Sequence, residues 1–128
     1  MPDFGLENTD GGKTNTVGLL GKPTVLSLLN SWSPTTSEQL RVLSELQSNT
    51  DINIYTVAIG EKTAKLKAYN TISGLQLNWL ADPDSSLVDL FNPQAQPTHY
   101  FIDRKGIVQQ VITGVLSQEE LIQNLTKL

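Results

Sequence analysis

The 128-residue sequence contains no cysteine. That absence excludes disulfides, thiolate zinc sites, iron–sulfur clusters and any cysteine nucleophile. Histidine occurs once, as His99, so a multi-histidine metal centre is excluded as well. No D-x-[DN]-x-[DN]-G calcium loop is present, and neither a metal nor a cofactor is expected. Positive charge is scarce, with 9 basic residues against 13 acidic and a net charge of −4. A nucleic-acid partner is not expected, because phosphate neutralisation needs a basic stripe. No apolar run approaches the roughly 20 residues of a membrane span, so no membrane insertion is expected. Repeats, low-complexity stretches and linkers are also missing, and residues 1–128 are read as one domain. Met1-Pro2-Asp3-Phe4 shows no signal peptide; Met1 is read as added at the trimmed edge of a domain, which leaves any upstream targeting segment open.

What is present is a regular alternation of strand and helix signals. Phe4 and Leu6 alternate with polar residues up to the turn Asn8 to Lys13, with Thr14 to Val17 as the return strand of a hairpin. Gly18 to Pro23 is a connector. Thr24 to Leu29 (TVLSLL) and Ile52 to Ile59 (INIYTVAI) are nearly continuous apolar runs, as in strands covered on both faces. Between them, Leu40, Leu43 and Leu46 repeat at helical spacing. Lys62 to Ile72 reads as a helix with Leu66, Tyr69 and Ile72 on one side, and Leu77 to Leu80 as a short strand. Asp82-Pro83-Asp84 starts a short helix through Phe91, with Leu87, Leu90 and Phe91 inward. Thr98 to Ile102 and Ile107 to Ile112 are strands around the turn Asp103 to Gly106; Ser117 and Glu120 form a capping box for a last helix carrying Leu121, Ile122 and Leu125. This order predicts an α/β sandwich: a mixed, mostly parallel sheet, helices on both faces, an N-terminal β-hairpin and an antiparallel late hairpin.

Several residues invite a chemical reading. Trp32 suits either a substrate platform or packing beside its loop. The helix after Pro34 can start with Ser33 as N-cap and Pro34 at N1, or with a capping box of Thr35 and Glu38. His99 shares a strand face with Pro97. A Ser33–His99 pair would suggest a hydrolase, but no G-x-S-x-G elbow or third member accompanies it, and a strand histidine with ordinary hydrogen-bond partners is expected. Gly12-Lys13-Thr14 fails the phosphate-loop pattern because Glu7 stands where its glycine belongs. Asn124-Leu125-Thr126 matches a glycosylation sequon but falls inside the terminal helix.

Four segments in order carry a resemblance. They are Pro2-Asp3-Phe4; Gly21 to Leu26 followed by Trp32-Ser33-Pro34; Leu80-Ala81-Asp82-Pro83-Asp84; and Pro97-Thr98-His99-Tyr100-Phe101-Ile102-Asp103 with Gly106. Together they resemble the thioredoxin fold, and within it the TlpA/ResA-like thiol–disulfide oxidoreductases of the redoxin, AhpC/TSA superfamily. The resemblance implies a W-C-x-x-C dithiol at a helix N-terminus, where a thiolate is stabilised. Here Ser33 replaces the attacking cysteine and Thr36 the resolving one. A hydroxyl forms no disulfide, so a redox-inactive domain is expected. An acidic residue beside the dithiol is also implied, with Glu38 or Glu45 as its relic. Pro97, preceded by Gln96, aligns with the family's cis-proline, whose neighbouring backbone pairs with an extended peptide. The expected binding residues are therefore Trp32, Ser33, Pro34, Thr35, Thr36, Gln96, Pro97 and Thr98, and the expected partner an extended peptide or protein segment. Asn92 to Gln96 (NPQAQ) departs from the family's glycine-containing approach to this proline.

The missing sulfurs have two explanations, deliberate substitution or divergence, and Thr36 favours divergence. Other readings are a dead variant of a working reductase and a structural domain of a longer protein. The resemblance favours a location outside the cytoplasm or on a membrane anchor; a monomer is expected.

Overall fold

The computed structural model describes residues 1–33 and 36–128. The chain runs β1 (Gly5–Asn8), β2 (Lys13–Asn15), a 3-10 turn (Thr16–Leu19), β3 (Thr24–Leu29), α1 (Ser37–Leu46), β4 (Asn53–Ile59), α2 (Thr63–Ser73), β5 (Trp79–Asp82), α3 (Ser86–Phe91), β6 (Thr98–Ile102), β7 (Val108–Thr113) and α4 (Gln118–Thr126). The strands form one seven-stranded sheet in the order β2-β1-β5-β4-β3-β6-β7. The expected element order and the N-terminal hairpin are both found.

Parallel pairing is confined to β3–β4 and β4–β5. The other four ladders, β1–β2, β1–β5, β3–β6 and β6–β7, are antiparallel. The sheet is therefore mixed, with a parallel centre and antiparallel flanks, and not mostly parallel as expected. The reason is that β1 returns to pair with β5, and β6 enters beside β3 against its direction.

Every residue of β3 is buried, as its nearly continuous apolar run leads one to expect. Side chains alternate across it. Val25 and Leu29 face Leu40, Leu43 and Leu46 of α1, Leu66 of α2, and Leu121 and Leu125 of α4. Leu26 and Leu28 face the other side, with Leu87 of α3 and Leu6 of β1. The successive steps β3 to β4 to β5 run the same way across the sheet. Right-handed crossovers then place α1 and α2 on one face.

Three apolar helix residues, two of them expected to face inward, are exposed. Ile72 is 87% exposed, because each three-residue step on a helix falls about 60° short of a full turn, and two such steps carry it off the Leu66 face. Leu90 and Ile122 are exposed for similar reasons, lying beside the buried Leu87 and Leu121 but rotated outward.

Boundaries also move. Strand β5 starts at Trp79 and not Leu77, and β2 ends at Asn15, whose side chain accepts from Gly18 N at 3.0 Å and opens the 3-10 turn. Asp82 ends β5 and does not begin α3. Its carboxylate nevertheless serves the helix start from there, accepting from Ser86 N (2.8 Å), Ser86 Oγ (2.7 Å) and Leu87 N (3.0 Å). The Ser117–Glu120 capping box of α4 is present as expected. The turn between β6 and β7 needs its glycine: Gly106 has φ +85°, and a Cβ there would stand 2.8 Å from Leu20 Cδ2.

Candidate functional site

The site lies where β3 ends and the chain turns toward α1. Strand β3 carries the loop Asn30–Ser33 out of the sheet, and β6 starts alongside it with the cis peptide bond Gln96–Pro97. The expected cis-proline is thus present. Pro97 O accepts from Gly114 N at 2.9 Å, which continues the β6–β7 pairing beyond Thr98. Thr98 is buried and its hydroxyl donates to Ala95 O.

Asn30 joins the two halves. Its amide Nδ2 donates to Gln96 Oε1, its Oδ1 accepts from Ser33 N at 3.0 Å, and its carbonyl accepts from Thr36 Oγ1 at 2.9 Å. Gln96 and Thr36 are therefore brought to one residue from opposite sides. Thr36 is fully buried; its hydroxyl also donates to Ser33 O at 2.8 Å, and its amide to the same carbonyl at 3.1 Å. Ser33 is half-buried and Trp32 is 67% exposed. Of the two readings of Trp32, packing beside the loop does not hold, since so exposed a side chain contributes little burial.

The helix start differs from expectation. Helix α1 begins at Ser37 with Thr36 in the cap position and no side-chain cap bond. The expected start with Ser33 as N-cap places Pro34 at N1. Pro34 and Thr35, with the Thr35–Glu38 capping box, lie outside the described residues. Thr36 is committed to carbonyls behind it, which is why its hydroxyl does not cap.

The acidic residues that the resemblance implies, Glu38 and Glu45, are both exposed on α1. Glu38 pairs there with Arg41. The carboxylate that does approach the loop is Glu61, between β4 and α2. It is 3% exposed. Glu61 Oε2 accepts from Ser31 N at 2.8 Å, Oε1 accepts from Ser31 Oγ, and Lys65 Nζ lies 3.2 Å from Oε1. Sequence reasoning missed it. The available signals were its place just past a buried strand and an i, i+4 partner in Lys65.

His99 does not pair with Ser33. Its Nδ1 lies 2.7 Å from Ser27 Oγ and its Nε2 3.1 Å from Gly114 O. A carbonyl can only accept, which assigns the proton to Nε2 and makes Nδ1 the acceptor of the Ser27 hydroxyl. Both ring nitrogens are occupied inside the sheet, and the hydrolase arrangement is absent. Burial holds the imidazole down at about 4, and the Gly114 hydrogen bond opposes that shift. Among the described residues no three His, Asp or Glu side chains gather as metal ligands, and no helix is long and apolar enough to cross a membrane. Gly12-Lys13 forms part of the β1–β2 turn, as its failed phosphate-loop pattern required. Asn124 lies within α4, where its side chain donates to Glu120 O at 2.8 Å.

A strand, loop and helix facing a cis-proline strand, with helices on both faces of a mixed sheet, define a thioredoxin-like protein. The chain belongs to the AhpC/TSA family, whose model matches residues 1–111. That match spans β3, the loop after it and α1, including Ser33 and Thr36. Among curated relatives the chain is 26% identical to the thioredoxin-like protein YneN of Bacillus subtilis, covering 97% of this chain and 75% of that one. It is 24% identical to the thiol-disulfide oxidoreductase ResA of Geobacillus thermodenitrificans, covering 97% and 73%. Among solved structures it superimposes on the exposed lipoprotein thioredoxin of Streptococcus pneumoniae with a TM-score of 0.84 and 26% identity, covering 99% of this chain and 100% of that one.

Proposed function

We propose that residues 1–128 form a single redox-silent thioredoxin-like domain whose groove takes an extended peptide or a segment of a partner protein. The groove comprises Trp32, Ser33, Thr36, Gln96, Pro97 and Thr98, with Pro34 and Thr35 between them in the chain. Thiol–disulfide exchange needs a thiolate to attack and a second sulfur to resolve, and the sequence has neither. Strand-like pairing with a peptide needs only backbone groups and an apolar anchor. The observation that carries this reading is the pairing of an exposed Trp32 with a loop in which the Ser31 and Ser33 amides and the Asn30 side chain are tied down. A large exposed aromatic on a fixed backbone suits an interface more than a core. The domain works as a monomer without cofactor. Its place is outside the cytoplasm or on a membrane anchor, which the lipoprotein relative supports.

The test is an amide NMR titration of the whole chain with extended peptides, including disulfide-derived and glutathione-type ones. Shifts concentrated at Trp32 to Thr36 and Gln96 to Thr98 are expected. Their absence at millimolar peptide overturns the groove.

A further inference from the structure

Glu61 is a buried carboxylate between β4 and α2, outside the residues assigned to the groove. Burying a charge is unfavourable unless it is paired and hydrogen-bonded, so its partners indicate what it is for. Two of its three contacts go to one residue, Ser31: Oε2 to the backbone amide and Oε1 to the hydroxyl. The third, Lys65, is half exposed and balances the charge from the surface side. A carboxylate that grips the backbone and the side chain of one residue fixes both its position and its rotation. On the other side of Trp32, the Ser33 amide is held at 3.0 Å by Asn30 Oδ1. Trp32 therefore stands between two tied amides while its own side chain remains in solvent.

We propose that Glu61 is a positioning residue that holds Ser31 and thereby presents Trp32 as a preformed anchor for the incoming peptide. This rests on the groove reading above. Its physical content is pre-organisation: a side chain whose backbone is already ordered loses less freedom on binding than one on a loose loop.

The experiment compares the whole chain with Glu61→Gln and Ser31→Ala. A glutamine keeps one acceptor oxygen and loses the other along with the charge. Ser31→Ala removes the hydroxyl tie and leaves the carboxylate with Lys65 and the amide. NMR relaxation of the Trp32 amide and indole is read without ligand, with the buried Trp79 indole as the control and the urea midpoint recorded alongside, and peptide affinity is read second. In the parent the Trp32 amide is expected near a rigid order parameter of about 0.85, falling below about 0.6 in Glu61→Gln, with an intermediate value in Ser31→Ala. Trp79 order is expected to stay close to the parent in both variants, the urea midpoint to fall in Glu61→Gln because buried hydrogen bonds are lost, and peptide affinity to weaken about tenfold. A Trp32 as ordered in both variants as in the parent overturns the proposal. So does a loss of order shared equally by Trp79, which marks general loosening. Should Trp32 alone loosen while the parent binds no peptide, positioning by Glu61 stands and the groove reading falls. If Glu61→Gln fails to fold, Ser31→Ala decides: a looser Trp32 supports the tie and an unchanged one overturns it.

Discussion

Two polar clusters lie close together in this molecule and behave in opposite ways. One is at the strand ends, where Asn30, Ser31, Thr36, Glu61 and Gln96 bond to one another and to the loop that carries Trp32. The other is a row inside the sheet: His99 on β6, Ser27 on β3 and Thr56 on β4, adjacent in register and all fully buried. In the first cluster, Asn30, Ser31 and Glu61 each have partners, and these include the Ser31 and Ser33 backbone amides on either side of Trp32. In the second, His99 and Ser27 satisfy each other, but Thr56 Oγ1 is a buried polar atom without a partner among the described residues. Polar groups at the strand ends set a shape. Polar groups within the sheet carry a desolvation penalty and make stability depend on pH and on single atoms.

The largest effect expected from this contrast is a pH dependence of stability that originates in the interior row. His99 has a folded value of about 4, whereas an unfolded histidine titrates near about 6.5. Between those values the unfolded chain binds a proton that the folded chain refuses, so stability falls as pH falls through that window and is complete above it. The full loss, reached near pH 4, is on the order of 3 kcal/mol. Urea unfolding of the parent and of His99→Gln across this window checks it, because the variant cannot titrate there and carboxylates contribute equally to both curves. Parallel curves would show that His99 is not the source. The His99 imidazole belongs to the interior row, which is the difference the measurement sharpens.

The order of strands and helices was legible because β3 and β4 are nearly continuous apolar runs and α1 repeats leucine at helical spacing. The errors are those of local pattern meeting tertiary geometry. Ile72 looked inward because it follows Leu66 and Tyr69 in steps of three, and the helix rotates it away. The sheet looked mostly parallel because nothing in Gly5–Asn8 says that it will pair with Trp79–Asp82. At the site, Gln96 and Pro97 were legible through the family resemblance alone. Asn30 carries no local signal that its side chain joins the β3 loop to Gln96. Glu61 was not legible: it lies 30 positions from Ser31 in the chain, and a glutamate followed by Lys62 and Lys65 reads as a solvated helix start. The contact that buries it is long-range, and no local period encodes it.

A smaller effect isolates the orphan atom of the interior row. Thr56→Val keeps the branched shape that β4 favours and removes the unpartnered hydroxyl. A gain of about 1 kcal/mol in urea unfolding is expected, since an unsatisfied buried hydroxyl costs about 1–3 kcal/mol and the methyl replaces it without a void. A loss of similar size would show that the hydroxyl has a partner, and the contrast between the clusters would weaken accordingly. Valine at Thr36 is the natural counter-experiment in the strand-end cluster, because that hydroxyl bonds two carbonyls and its removal should destabilise.

The smallest effect on stability is expected where the effect on binding is greatest. Trp32→Ala removes a side chain that is mostly in solvent, so urea stability should change by no more than about 0.5 kcal/mol. The polar ties around it involve Ser31 and Ser33 and the Asn30 and Glu61 side chains, none of which the substitution touches. The loop should therefore keep its shape, seen as unchanged amide shifts at Ser31 and Ser33, while the peptide response at Gln96 to Thr98 disappears. If stability falls by several times that amount instead, Trp32 packs in solution, and the strand-end cluster is a second core and not a presenting frame. If stability holds and peptide response persists, the anchor lies elsewhere along the cis-proline strand. Only the combination of preserved shape and lost response assigns the polar frame and the aromatic it presents to one task, because the frame is satisfied without Trp32 and Trp32 has little structural role without a partner.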